Sequence, residues 1–216
     1  MSNRLYRGAL KLVAGIGLAS LFLATAHALL HLGVHGRATW HCLLGFSLGM
    51  IVFTALAPFM PMYVLGHELT HWFIAKLCGR RTGRIRLGRQ DGSVAVDNPN
   101  IWIVLGPYFV PFYALVWPVA WSLAGLWYRP SWHAEALLIG AGVGYAFHLV
   151  LTIKVLRGGQ SDLQHYGPVF SMLLILAANL LLLYLALAVL SGNLAAVPAG
   201  LWRGFKVQVM LLRRWF

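Results

Sequence analysis

One short string in this 216-residue chain has the residue types and spacing for hydrolytic chemistry: Gly66-His67-Glu68-Leu69-Thr70-His71. On a helix, positions 67 and 71 lie one turn apart on one face, so both imidazoles can reach a single ion. Zinc takes neutral imidazole at about 2.0–2.1 Å and, in catalytic sites, commonly three protein ligands plus a water. Glu68 adjoins the first histidine and is placed to act as general base, taking a proton from that water and returning it to a leaving amine. A His-Glu-x-x-His string also arises by chance among hydrogen-bonded groups of a helix bundle. Acids are scarce here, however: the chain has five, two of them glutamates, and one of those two falls inside the string. Ionisable groups left in hydrocarbon without a use are costly, so a metal site is the expectation.

A third ligand must come from elsewhere, and the inventory is short. Asp91 and Asp97 flank a turn signal and read as solvated loop residues. Glu135, after Trp132 and His133, suits the N-terminal end of a helix and its dipole. Asp162 remains, in Gly158-Gly159-Gln160-Ser161-Asp162-Leu163-Gln164-His165, where glycines would let the loop fold back toward the ion. Its ordinary role would be to cap a short helix. Asp162 is the expected third ligand, with His165, His148 and Glu135 as alternatives. His67 lies about three turns, roughly 15 Å, inside the end of its helix. The Asp162 loop must therefore dip inward, or the site must open to a water-filled cleft.

The elements that would hold these residues follow from composition. Hydrophobic residues make up 60% and charged residues only 10%, against about 25% charged in an ordinary soluble domain. Five stretches carry no Asp, Glu, Lys or Arg: 12–36, 38–67, 98–128, 136–153 and 163–202. About 20 residues of helix cross a bilayer core, which excludes soluble, disordered and fibrous classes. The expected fold is an all-α polytopic membrane protein with five to six transmembrane or re-entrant helices. Spans are expected at 12–33, 42–58 (meeting Pro58 and Pro61), 62–78 (stopping at Gly79), 101–127, 134–156 and 169–191. Residues 79–99 form the long polar segment, where Ile85 and Leu87, then Val94 and Val96, alternate around Asp91-Gly92. That pattern predicts a small β-hairpin at the membrane surface. Residues 1–200 are read as one transmembrane domain and 201–216 as an amphipathic interfacial tail with Trp202, Phe205, Val209, Leu212 and Phe216 near one face.

The formal charge of +12 does not indicate nucleic acid, because the basic residues flank apolar spans and the 76–89 cluster has no aromatic to stack a base. Arg4, Arg7 and Lys11 favour a cytoplasmic N-terminus on a retained first helix. Arg80, Arg81, Arg84, Arg86 and Arg89 favour a cytoplasmic 79–99 loop. The two preferences agree only if 42–78 crosses once as a broken element. Cys42 and Cys78 read as small buried hydrophobes rather than a bridge or ligands. His27, His31 and His35 share one face of the first span. Pro107 and Pro111, with Gly106 and Tyr108, predict a bent span.

Taken together, Gly66–His71, the hairpin after it, Leu105-Gly106-Pro107 and Ser161-Asp162 resemble the site-2 protease family of intramembrane zinc metalloproteases. The likeness covers roughly residues 58–170, in a small branch without an added soluble domain. It implies zinc held by His67, His71 and Asp162, Glu68 as general base, and a hairpin that helps present an unfolded segment of a membrane-protein or peptide substrate. The family's Asn-Pro before the aspartate and Gly-Gly after it are absent here. The expected activity is that of a zinc metalloendopeptidase, and the expected location is a bacterial inner membrane. The rival readings are a metal- or substrate-binding membrane scaffold that does not cut, a prenyl-protein protease using Glu135, and a transporter.

Overall fold

The uncharged runs fold as helices whose ends are set by local chemistry. The computed structural model describes residues 2–33, 35–56, 60–88, 91–158 and 160–214. Pro58, Arg89, Gly159, Trp215 and Phe216 lie outside the described residues. The helices Gly8–Leu30, Arg37–Ala55, His133–Arg157 and Pro168–Leu190 are each long and apolar enough to cross a membrane. The bent pair Ile101–Tyr108 and Phe112–Ala124 makes a fifth span if counted as one. The protein is thus a mostly helical, integral multi-pass membrane protein with a two-stranded hairpin.

Its contacts divide into two compact units, 37–162 and 1–36 with 163–216. In the first, α2 (Arg37–Leu56) and α6 (His133–Arg157) run side by side in parallel. Small residues bring their backbones together: a side chain at Gly45 would strike the Ile139 carbonyl, and one at Gly142 the Cys42 carbonyl. Close approach through glycine is how membrane helices gain contact where lipid supplies no hydrophobic drive. α5 (Phe112–Ala124) crosses α6 antiparallel, with Gly144 against Ala114 and Gly140 against the Trp117 indole.

α3 (Met60–Leu77) carries the His-Glu-x-x-His string. Pro61 sits in its first turn, where a missing N–H costs nothing. Gly79 ends it with φ +66°. Arg80 N–H donates to the Ala75 carbonyl at 2.8 Å and Gly79 N–H to Lys76 at 3.0 Å, the paired bonds of a left-handed glycine stop.

Strands β1 (Thr82–Leu87) and β2 (Gly92–Val96) then pair antiparallel, with Ile85 opposite Val94 and Leu87 opposite Gly92. The hairpin folds back along α3 until Gly92 lies beside Val64 and Glu68.

The expected 101–127 span is broken. Asn100 caps α4 (Ile101–Leu105) by accepting from Ile103 N–H at 3.0 Å. A 3₁₀ turn, Gly106–Tyr108, follows, and the chain bends by 76° before α5. Pro107 and Pro111 cannot donate to a continuing helix, which is why it breaks there. α6 ends at Gly158, and a short helix α7 (Ser161–Tyr166) carries Asp162 in its first turn.

In the second unit, α1 (Ser2–Leu30) and α8 (Pro168–Leu190) run parallel, with Gly15 near Leu173 and Ala28 packed with Tyr184 and Ala188. The amphipathic helix expected from 201 forms as α9 (Val197–Leu212). It packs antiparallel along α1: Gly200 faces Ala28, Gly204 faces Ala24, and Ser20 donates to Gln208 at 2.7 Å. Trp202, Val209, Met210, Leu211 and Leu212 remain exposed.

Candidate metal centre

The string on α3 does what its spacing requires. His67 Nε2 and His71 Nε2 stand 3.1 Å apart. Asp162 Oδ2 approaches them to 3.7 and 3.6 Å respectively. These three residues form the metal-capable group among the described residues, with ligand atoms all within 4.8 Å of one another. A tetrahedral ion 2.0–2.1 Å from each donor would separate donors by about 3.3–3.4 Å, a value that the three observed separations bracket.

The surroundings orient the donors. His71 Nδ1–H donates to the Ile103 carbonyl at 2.6 Å, which fixes the ring and turns the Nε2 lone pair toward the cluster. That carbonyl belongs to α4, so the segment before the break also orients His71. Tyr108, wholly buried in the 3₁₀ turn, donates its hydroxyl to Asp162 Oδ2 at 2.9 Å. Its ring meets the His67 ring edge-on at 5.1 Å. The imidazoles are largely enclosed, with side chains 10% and 13% exposed, while Asp162 keeps 26%. Burial alone would raise the Asp162 carboxyl. The two imidazoles and the Tyr108 hydroxyl outweigh it and hold that carboxyl well below the usual carboxylate range.

Glu68 is 5% exposed and faces the hairpin rather than lipid. The Val94 main chain hydrogen-bonds its carboxylate. A Cβ at Gly92 would come within 2.8 Å of Glu68 Cγ and 2.6 Å of a Val64 methyl. Glycine there is a steric requirement, since β2 has to lie directly on the acid.

The structure brings His67, His71 and Asp162 together, with Glu68 on the same helix. The start of α7 brings Asp162 to the two histidines, and the hairpin runs back along α3 to Glu68. Asp91 and Asp97 are exposed, as solvated loop residues should be. Glu135 stands in the first turn of α6, outside the cluster. His165 is exposed and meets the Tyr166 ring edge-on. His148 is buried and lines, with His67, Tyr63 and Thr70, a gap of about 10 Å³. Tyr108 was not among the residues expected to act. Its signal was the Gly106-Pro107-Tyr108 bend, which reads as backbone shape and hides the hydroxyl. No protein-family model, curated protein or solved structure matches this chain, so its chemistry has to be argued from these atoms.

Proposed function

We propose that this protein is a membrane-embedded zinc metalloendopeptidase that hydrolyses peptide bonds within or next to the bilayer. The observation that carries the reading is the approach of Asp162 to both imidazoles of the His-Glu-x-x-His string, across 91 positions of chain (162 − 71). Two imidazoles and a carboxylate suit zinc, and zinc held there would supply Lewis acidity to the scissile carbonyl and an acidified water.

The remaining work falls to the protein's own groups. Ile103 locks His71 in the tautomer that leaves Nε2 free to bind, and Tyr108 steadies Asp162. Glu68 takes the proton of the attacking water and delivers it to the departing amine. Enclosure by α3 and β2 keeps that carboxylate away from bulk water. The outer edge of β2 passes Glu68, and an extended substrate segment can pair there through its main chain. The resemblance to site-2 proteases supports the same assignment.

The test is Glu68→Gln in purified, metal-defined protein with an unfolded reporter segment. Zinc should stay bound in stoichiometric amount while cleavage disappears. Cleavage that survives the substitution would remove Glu68 from the reaction and the reading with it.

A further inference from the structure

The unit formed by 1–36 and 163–216 has an unusual charge composition. All five carboxylates of the chain, Glu68, Asp91, Asp97, Glu135 and Asp162, fall in 37–162. This unit nevertheless carries Arg4, Arg7, Lys11, Arg203, Lys206, Arg213 and Arg214. Among the described residues Arg203 makes no ion pair, the ion pairs found being those of Asp162 with His67 and His71.

Arg203 opens onto a cavity of about 230 Å³ lined also by His27, His31, Tyr184, Asn193 and Gly200. The cavity lies where two spans end, since the apolar stretch of α1 stops at Leu30 and that of α8 at Leu190. That is the level of lipid headgroups. The imidazoles of His27 and His31 stack with centroids 4.3 Å apart. His31 Nδ1–H donates to the His27 carbonyl at 2.8 Å, so Nε2 is the atom left to face a ligand, and it gives an N–H to an anionic oxygen when the ring is an imidazolium. His27 Nδ1 is buried without a hydrogen-bond partner. Asn193 Nδ2 spends one hydrogen on the Gly33 carbonyl at 3.3 Å and has a second to give. Gly200 keeps the floor open, because a side chain there would collide with the Tyr184 hydroxyl.

We propose that this cavity binds a phosphate group, with the headgroup of an anionic phospholipid as its source. A guanidinium, two imidazoles, a phenol and an amide from three helices and a loop surround a space free of any anionic side chain. A cation would meet Arg203 and be repelled, so the two histidines are not the start of a second metal site. Phosphate presents several oxygens to donors arriving from different directions, and the guanidinium fork fits it in a bidentate manner. The volume exceeds that of a lone ion and leaves room for the glycerol side of a lipid.

The experiment uses the full chain in an uncharged detergent, titrated with dihexanoyl phosphatidylglycerol, dihexanoyl phosphatidylcholine and inorganic phosphate. Phosphatidylglycerol should bind saturably, and more tightly than phosphatidylcholine, whose ammonium group meets Arg203. Arg203→Gln and His31→Gln should each weaken it about tenfold or more, the scale of a lost charge-assisted bond. Lys206→Gln, which removes the same charge on α9 outside the cavity, should leave it unchanged. Equal binding of inorganic phosphate with the same losses would support the phosphate site and assign it a soluble source. Two results would overturn the proposal: no saturable binding of either phosphate probe, or equal losses in Lys206→Gln and Arg203→Gln. Should Arg203→Gln fail to fold, Arg203→Lys keeps the charge and removes the fork. It should still weaken phosphatidylglycerol, and unaltered affinity there would count against the site. None of these readings depends on hydrolysis, so failure here leaves the metal centre untouched.

Discussion

Tyr108→Phe isolates one hydrogen bond at the candidate metal centre. The phenol is fully buried, and its hydroxyl reaches Asp162 Oδ2 at 2.9 Å. Phenylalanine keeps the ring, its packing on His67 and the bend around Pro107, and deletes only the donor. A hydrogen bond to a charged group contributes about 1.5–3 kcal/mol. At 1.4 kcal/mol per decade that corresponds to roughly ten- to hundredfold in metal affinity, the range found for groups that orient metal ligands. Asp162 keeps 26% side-chain exposure, so water can replace part of the bond and the loss should fall at the lower end. The assay is competition with a chelator of known zinc affinity in detergent, alongside a melting curve of the zinc-free protein to show an intact fold. A variant that melts like the parent and binds zinc equally well would show that Tyr108 does not steady the carboxylate, and the ligand role of Asp162 would then need a different support.

Asp162→Ala should lower bound zinc far more than Tyr108→Phe, as measured by metal analysis after dialysis; unchanged content would pass the third position to another donor. Gly92→Val drives a methyl into Glu68 and Val64, so β2 must lift away. Cleavage should fall by as much as about a hundredfold, the cost of misplacing a reacting group by an ångström, with zinc retained; full activity would mean that the hairpin does not position Glu68. Zinc retention should be complete at neutral pH and fall on acidification below the usual imidazole value of about 6.5, as protons compete with the metal for His67 and His71. Asp162 stays ionised through the start of that loss because its carboxyl is held low, so zinc retention that did not change on acidification would contradict imidazole ligation.

The membrane architecture was legible because charge is so sparse. Runs without Asp, Glu, Lys or Arg mark the apolar helices, and Gly79 marks the end of α3 by a left-handed geometry that glycine adopts more freely than any other residue. The histidine pair was readable from helical spacing alone. Asp162 was readable by elimination, since acids are so few. What could not be read is how separate elements meet. Alternation in 82–96 predicts two strands but not that they return along α3 to rest on Glu68; that depends on Gly92 being small enough to touch it. The bend after Leu105 was visible as prolines and a glycine, yet nothing in those letters says that Ile103 and Tyr108 will face His71 and Asp162. Likewise the 201–216 pattern shows an amphipathic helix, whereas its alignment with α1 rests on Gly200 and Gly204 meeting Ala28 and Ala24.

The spacing of the three donors has a mechanical side. Any ion shared by His71 and Asp162 fastens together two points 162 − 71 = 91 positions apart. Closing a flexible loop of that length costs about 4 kcal/mol by the 1.5RT ln n scaling, a toll that a metal clip removes from the unfolded chain. The cation would then be a rivet as well as a reagent, binding the start of α7 to α3. Chelation should loosen Ser161 and Asp162 before the long helices themselves give way.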